Sequence, residues 1–138
     1  MWTKIFLVTV ISVNVAAASK QFVGVRGQVI CENRPYKGAK VKLFDDDKGL
    51  DTDDLLAEGW SGVDGSFSIS GSENEFTTID PKVNFYHDCN DLLPCQRKFT
   101  IFIPKDYVTE EGEPIKFFDV GVLNLDGEYP EEGRDCVH

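Results

Sequence analysis

From residue 23 onward, hydrophobic and polar positions alternate with a period of two, which predicts β-strands rather than helices. In "VGVRGQVIC" (23–31), Val23, Val25, Val29 and Cys31 share one side, with Arg26 and Gln28 on the other. "AKVKLFDD" (39–46) repeats the pattern, with Ala39, Val41 and Leu43 inward and Lys40 and Lys42 outward. "GSFSISG" (65–71) turns Phe67 and Ile69 inward and three serines outward. "KVNFYHDC" (82–89), "RKFTIFIP" (97–104) and "IKFFDVGVLNL" (115–125) follow, and the alternation breaks near Asp119, which predicts a β-bulge.

The connections carry turn chemistry: "NRPYKG", the Asp-Gly of "GVDGS", and Pro81, Pro94 and Pro104. "DTDDLLAEG" (51–59) suits either a helical turn or a short strand, and the polar tail "DGEYPEEGRDCVH" (126–138) reads as an extended flap. About seven short strands predict an all-β fold, a β-sandwich or partly open barrel.

The first residues obey a different pattern. Lys4 precedes an apolar run from Ile5 to Val15, and the small residues Ala16 and Ala18 follow. This is the layout of a secretory signal peptide over 1–18, cleaved after Ala18, with one domain over 19–138. The run is too short for the roughly 20 residues a membrane-spanning helix needs. The expected product is secreted, extracellular and not membrane-spanning.

The whole chain has 14 basic and 24 acidic residues; loss of Lys4 leaves 13 basic, a net charge near −11. That balance disfavours nucleic acid as a partner and makes any phosphate contact depend on a local basic patch. Lys40 and Lys42 on one strand, and Arg97 and Lys98 on another, are the candidate cations for binding a phosphate or carboxylate. On an edge strand the same lysines serve as solvated guards against aggregation. Trp60 and Tyr86 are candidate aromatic anchors.

Cys31, Cys89, Cys95 and Cys136 form an even set, which in a secreted chain reads as two disulfides. Counting from Val83 and Phe85, and from Phe99 and Ile101, gives Cys89 and Cys95 the same inward parity at the mouth of one connection. A Cys89–Cys95 bond is therefore expected, leaving Cys31–Cys136 to anchor the tail. The chain-entropy contribution is roughly 2.4 and 4.8 kcal/mol respectively. Five residues separate Cys89 from Cys95, not the two of a redox motif. His87, Cys89 and Cys95 supply three of the four ligands that a zinc site requires, and no metal or other cofactor is expected.

His87 follows the inward parity, which favours packing over catalysis, and there is no G-x-S-x-G for a serine nucleophile. After Asp45, five more carboxylates fall within nine residues, but Gly49 and Leu50 break the EF-hand order. The segment 45–54 reads as a solvated acidic loop.

The ordered combination "VRGQVIC", "PYKGAKVKLFDDD", "DDLLAEGWSGVDGSFSISG", "EFTTIDPKVNFYHDCND", "PCQRKFTIFIP", "FDVGVLNL" and "RDCVH" resembles the nematode transthyretin-like family over the mature chain. "IDPKVNFYHDC" and "PCQRK" are the most specific parts. The resemblance implies a transthyretin-like β-sandwich, secretion and a worm source. Most members lack an assigned activity, and at least one bridges exposed phosphatidylserine to a phagocyte receptor. A non-enzymatic binding or adaptor role is expected, toward a lipid, a small hydrophobic ligand or a cell-surface partner.

Two other readings remain. A hydroxyisourate-hydrolase-like enzyme would need histidines, an arginine and a C-terminal Tyr-Arg-Gly-Ser, whereas this chain ends "GRDCVH" and has no histidine in its first strand. A secreted protein-binding signalling or host-directed factor is the other. Hormone carriage like that of transthyretin itself is disfavoured by the cysteine-anchored tail.

Overall fold

The computed structural model describes residues 2–13, 17–46 and 53–138. Residues 2–13 are exposed and without regular secondary structure. Seven principal strands follow: β1 Ser19–Cys31, β3 Lys40–Asp45, β4 Asp54–Trp60, β5 Ser66–Glu75, β6 Pro81–His87, β7 Gln96–Phe102 and β9 Phe117–Asn124. Three shorter strands complete the set: β2 Arg34–Pro35, β8 Thr109–Glu110 and β10 Gly133–Asp135.

The strands form two sheets, a sandwich rather than a closed barrel. In sheet A the long β1 is the hub, antiparallel to β2, β5 and β8 and parallel to β9. Sheet B is antiparallel with the order β10-β7-β6-β3-β4. Of the ambiguous segment, residues 54–59 fall in strand β4, which pairs antiparallel with β3. The tail is no loose flap, because β10 adds an edge to β7. The bulge near Asp119 is present: Arg26 pairs with Asp119 and Gln28 with Val122, so Val120 and Gly121 oppose Gly27 alone. Gly121 holds a φ of +72°, which a residue without Cβ adopts freely.

The inward positions form the core. Val23, Val25, Val29, Val41, Leu43, Val83 and Phe85 are fully buried. Aromatic rings bridge the layers: Phe67 meets Phe85 edge-on at 5.3 Å, Phe85 stacks on Phe99 at 4.9 Å, and Phe99 stacks on Tyr129 of the tail at 4.0 Å. Such pairs add about 0.5–1.5 kcal/mol beyond burial.

The disulfide pairing corrects the expectation. Cys31 bonds Cys89, with Cα atoms 5.9 Å apart, and Cys95 bonds Cys136. The β6–β7 ladder ends at His87 and Arg97. Extending it would set Cys89 against Cys95, but the loop leaves strand geometry, with φ of +48° at Asn90 and +67° at Cys95. Cys95 thereby meets Cys136, which follows the Asp135–Gln96 pair of β10 and β7. Cys89 keeps its inward parity, is 1% exposed, and meets Cys31 from the opposite sheet. One bond therefore staples the two sheets and the other fixes the edge strand.

Candidate binding face

The outward residues of sheet B gather the lysines. Strand register places Trp60, Lys40, Tyr86 and Lys98 in one row and Glu58, Lys42, Asn84 and Thr100 in the next. Lys40 Nζ lies 5.9 Å from the Trp60 ring centre and Lys42 Nζ lies 5.8 Å from that of Tyr86, both within cation–π range. Thr100 Oγ1 donates to Asn84 Oδ1 at 2.6 Å.

The tail completes this face. His138 stacks on Tyr86 at 4.2 Å, and Lys40 Nζ donates to the main-chain oxygen of His138 at 2.7 Å. Tyr86 is consequently buried, whereas Trp60 is 57% exposed. Burial, reinforced by Lys40, holds the His138 imidazole below its usual range. A lysine ammonium has three donors, so the Lys40–His138 bond leaves two for other partners. Glu58 is paired with Lys42, and Asp135 and Asp88 lie close enough to act on the His138 imidazole.

Arg97 takes a different place from the three lysines. It has inward parity and sits under the tail, where Nε and Nη2 donate to the Glu132 carboxylate at 2.6 and 3.1 Å. Nη1 donates to the carbonyls of Cys89 and Leu125, and Nη2 also to that of Gly127. This arginine ties β7 to the tail and the β6–β7 loop, so its guanidinium is engaged within the fold.

His87 is fully buried between Tyr36 and Phe99. Its Nδ1 accepts the Cys89 backbone N–H at 3.0 Å, and Nε2 has no protein partner. Burial, then repulsion from Arg97, lowers its pKa to about 4. At neutral pH it is an uncharged core residue.

A second cluster was not foreseen. Asp45, Asp54, Glu73 and Glu75 bring carboxylate oxygens within 4.8 Å of one another. Asp45 and Asp54 are paired across β3 and β4, and the glutamates come from β5. Residues 47–52 of the expected acidic loop lie outside the described residues. Burial, with hydrogen bonds and charge from Asp45 and Asp54, raises Glu73 to about 9. The cluster thus retains a proton at neutral pH, the usual outcome when carboxylates share a site. The "DDD" run marked one half of it, but nothing local in "SENE" announces the other.

Arg26, Gln28, Trp60, Phe67 and Val122 line an open groove of about 630 Å³, with Arg26 and Asp119 in an ion pair at 3.5 Å.

Among the described residues no helix is long and apolar enough to cross a membrane. The family model described as "TTR-52: Transthyretin-like family" matches residues 26–104. Transthyretin-like protein 5 of Caenorhabditis elegans is 50% identical over 135 residues, 97% of each chain. Transthyretin-like protein 33 of the same worm is 48% identical, covering 88% of this chain and 86% of its own, and transthyretin-like protein 2 is 39% identical, covering 88% and 90%. With two disulfides, two packed β-sheets and relatives matching along nearly their full length, this chain belongs to the transthyretin-like family.

Proposed function

We propose that the chain is a secreted, non-enzymatic binding or adaptor protein of the extracellular space, and that its ligand is an anionic lipid headgroup. One observation carries the reading: Lys40, Lys42 and Lys98 share one sheet face with Trp60 and Tyr86 in adjacent register rows. Ammonium groups held beside aromatic rings suit a phosphate or carboxylate attached to an apolar body. In a chain of net charge −10 the attraction must be local, since screening limits fields to about 8 Å at physiological salt.

Residues 1–18 act in this reading as a cleaved secretory signal, and Ser19 is the first residue of β1. Two disulfides suit an oxidising compartment. The hydrolase reading is disfavoured because His87 is fully buried and His138 is stacked and hydrogen-bonded. Small hydrophobic ligands and cell-surface proteins are the other partners this role embraces.

The test is co-sedimentation of oxidised 19–138 with phosphatidylserine and phosphatidylcholine vesicles, at low and physiological salt, with and without calcium. Phosphatidylserine-selective binding that is lost in Lys40→Glu/Lys42→Glu/Lys98→Glu is expected. Equal binding to both lipids, or no effect of the triple variant, refutes the headgroup assignment.

A further inference from the structure

The loop between β6 and β7, "DCNDLLPC", displays its leucines while tying down its polar groups. Among the described residues no large hydrophobic side chain is more exposed than Leu92, at 103% of its reference value, and Leu93 is 63% exposed. Neither belongs to the core cluster. Around them the loop is fastened at both ends, by Cys89 to Cys31 and by Cys95 to Cys136.

The side chains add further ties. Arg134 donates to both Asp91 oxygens, at 2.7 and 2.8 Å, and to the Cys95 carbonyl. Asn90 Nδ2 donates to Asp126 at 2.6 Å, Gln96 Nε2 to Asp88 at 2.9 Å, and the Asp88 N–H to the Tyr36 hydroxyl at 3.0 Å. The Asp91 carboxylate is 1% exposed and neutralised by Arg134, so the acid next to the leucines is hidden. A tip ordered this firmly loses little further conformational entropy on binding.

We propose that Leu92 and Leu93 form an apolar prong that enters the outer layer of a lipid bilayer. The proposal rests on the reading above, in which the lysine face meets lipid headgroups. The two features share one end of sheet B: the loop begins directly after His87, next to Tyr86, which is paired with Lys40 and Lys98. Val137, 87% exposed, follows the Cys136 bonded to Cys95. Trp60, paired with Lys40, stands where an indole favours the boundary between headgroups and acyl chains.

The side-chain chemistry selects a bilayer over a protein pocket. Protein hot spots are rich in Trp, Tyr and Arg and poor in leucine, whereas a bilayer accepts aliphatic side chains without shape matching. Asp88, which is exposed, and Asp135 limit the prong to shallow insertion.

The test uses oxidised 19–138, which contains every strand, with wild type compared to Leu92→Ser/Leu93→Ser and Leu92→Trp. Vesicles are phosphatidylcholine alone or mixed with phosphatidylserine. The double serine variant is expected to bind about 30-fold more weakly, since each inserted leucine is worth roughly five- to tenfold. In Leu92→Trp a new blue-shifted emission, quenched by brominated lipid, is expected on vesicle binding. If vesicles bind with no quenching at position 92 and no loss in the serine variant, the prong is overturned and the lysine face stands. If leucine-dependent binding survives Lys40→Glu/Lys42→Glu/Lys98→Glu, the prong stands and the headgroup reading falls. Absence of binding to any vesicle overturns both, and leucine-dependent binding to cells but not vesicles assigns the tip to a protein.

Discussion

His87 makes the fold sensitive to acid in a way that can be isolated. Its ring is fully buried, Nδ1 is committed to the Cys89 N–H, and its folded pKa is about 4 against 6.5 for a free imidazole. Protonating Nδ1 turns an acceptor into a donor facing another donor, beside the cationic Arg97. The folded chain therefore binds fewer protons than the unfolded one between these values. The stability contribution is full above pH 6.5 and is lost as pH falls through about 4. A gap of 2.5 units at 1.36 kcal/mol each sets the loss at about 3 kcal/mol.

The comparison is between wild type and His87→Asn, whose amide oxygen replaces Nδ1 as acceptor without titrating. Urea unfolding of both oxidised proteins, followed by Trp60 fluorescence at pH 7, 6, 5 and 4, yields the difference in stability at each pH. Other titrating groups cancel in that difference. The asparagine variant is less stable at pH 7 through lost packing, and its deficit shrinks by about 3 kcal/mol by pH 4. Parallel profiles would refute the reasoning, as would an imidazole that titrates near 6.5 by NMR in the folded protein.

Glu73 runs the opposite way: its folded pKa is raised, so the stability it confers is present below about 4.5 and is lost as pH rises through about 9. Glu73→Gln should flatten that alkaline decline in urea midpoints, and an unchanged slope would sink the shared-proton account. Removing the inter-sheet bond as Cys31→Ala/Cys89→Ala opens a loop with a sequence separation of 58 and should cost about 4 kcal/mol, a large share of a typical 5–15. A non-reducing peptide map should recover Cys31–Cys89 and Cys95–Cys136, and a Cys89–Cys95 peptide would contradict the structure. Arg97→Met strands the Glu132 carboxylate and three carbonyls, a loss of about 3–5 kcal/mol in chemical denaturation. Arg97→Lys should restore little of it, because an ammonium lacks the planar fork.

The strands were legible because each carries its own signal. A period of two is local, so Val23, Val25 and Val29, or Val83 and Phe85, declare the inward face without knowledge of the neighbouring strand. The break at Asp119 likewise marked a real bulge, since an extra residue must disturb the alternation where it enters. The tail gave no such signal. Its order comes from β7 beside it, from Glu132 on Arg97 and from Tyr129 on Phe99, all contacts with residues 30 to 39 positions earlier.

The site residues divide along the same line. Lys40 and Lys42 were readable as outward neighbours on one strand, and the hairpin register brings Lys98 beside them through Tyr86. Arg97, adjacent to Lys98 in sequence, must point to the opposite face of the strand, and this parity alone separates it from the lysines. The cysteines show both the reach and the limit of that reasoning. Cys31 and Cys89 share the inward side of opposing sheets, a pairing that parity permits but could not select over Cys89–Cys95, because parity does not say which strands face each other across the sandwich. Cys95 lies beyond the last ladder pair, where its positive φ removes the parity that would have set it against Cys89. Periodicity constrains a side chain only while the ladder continues. The loop past His87 is therefore where the sequence pattern is weakest and where cross-links, ion pairs and exposed leucines take over the work of shaping a surface.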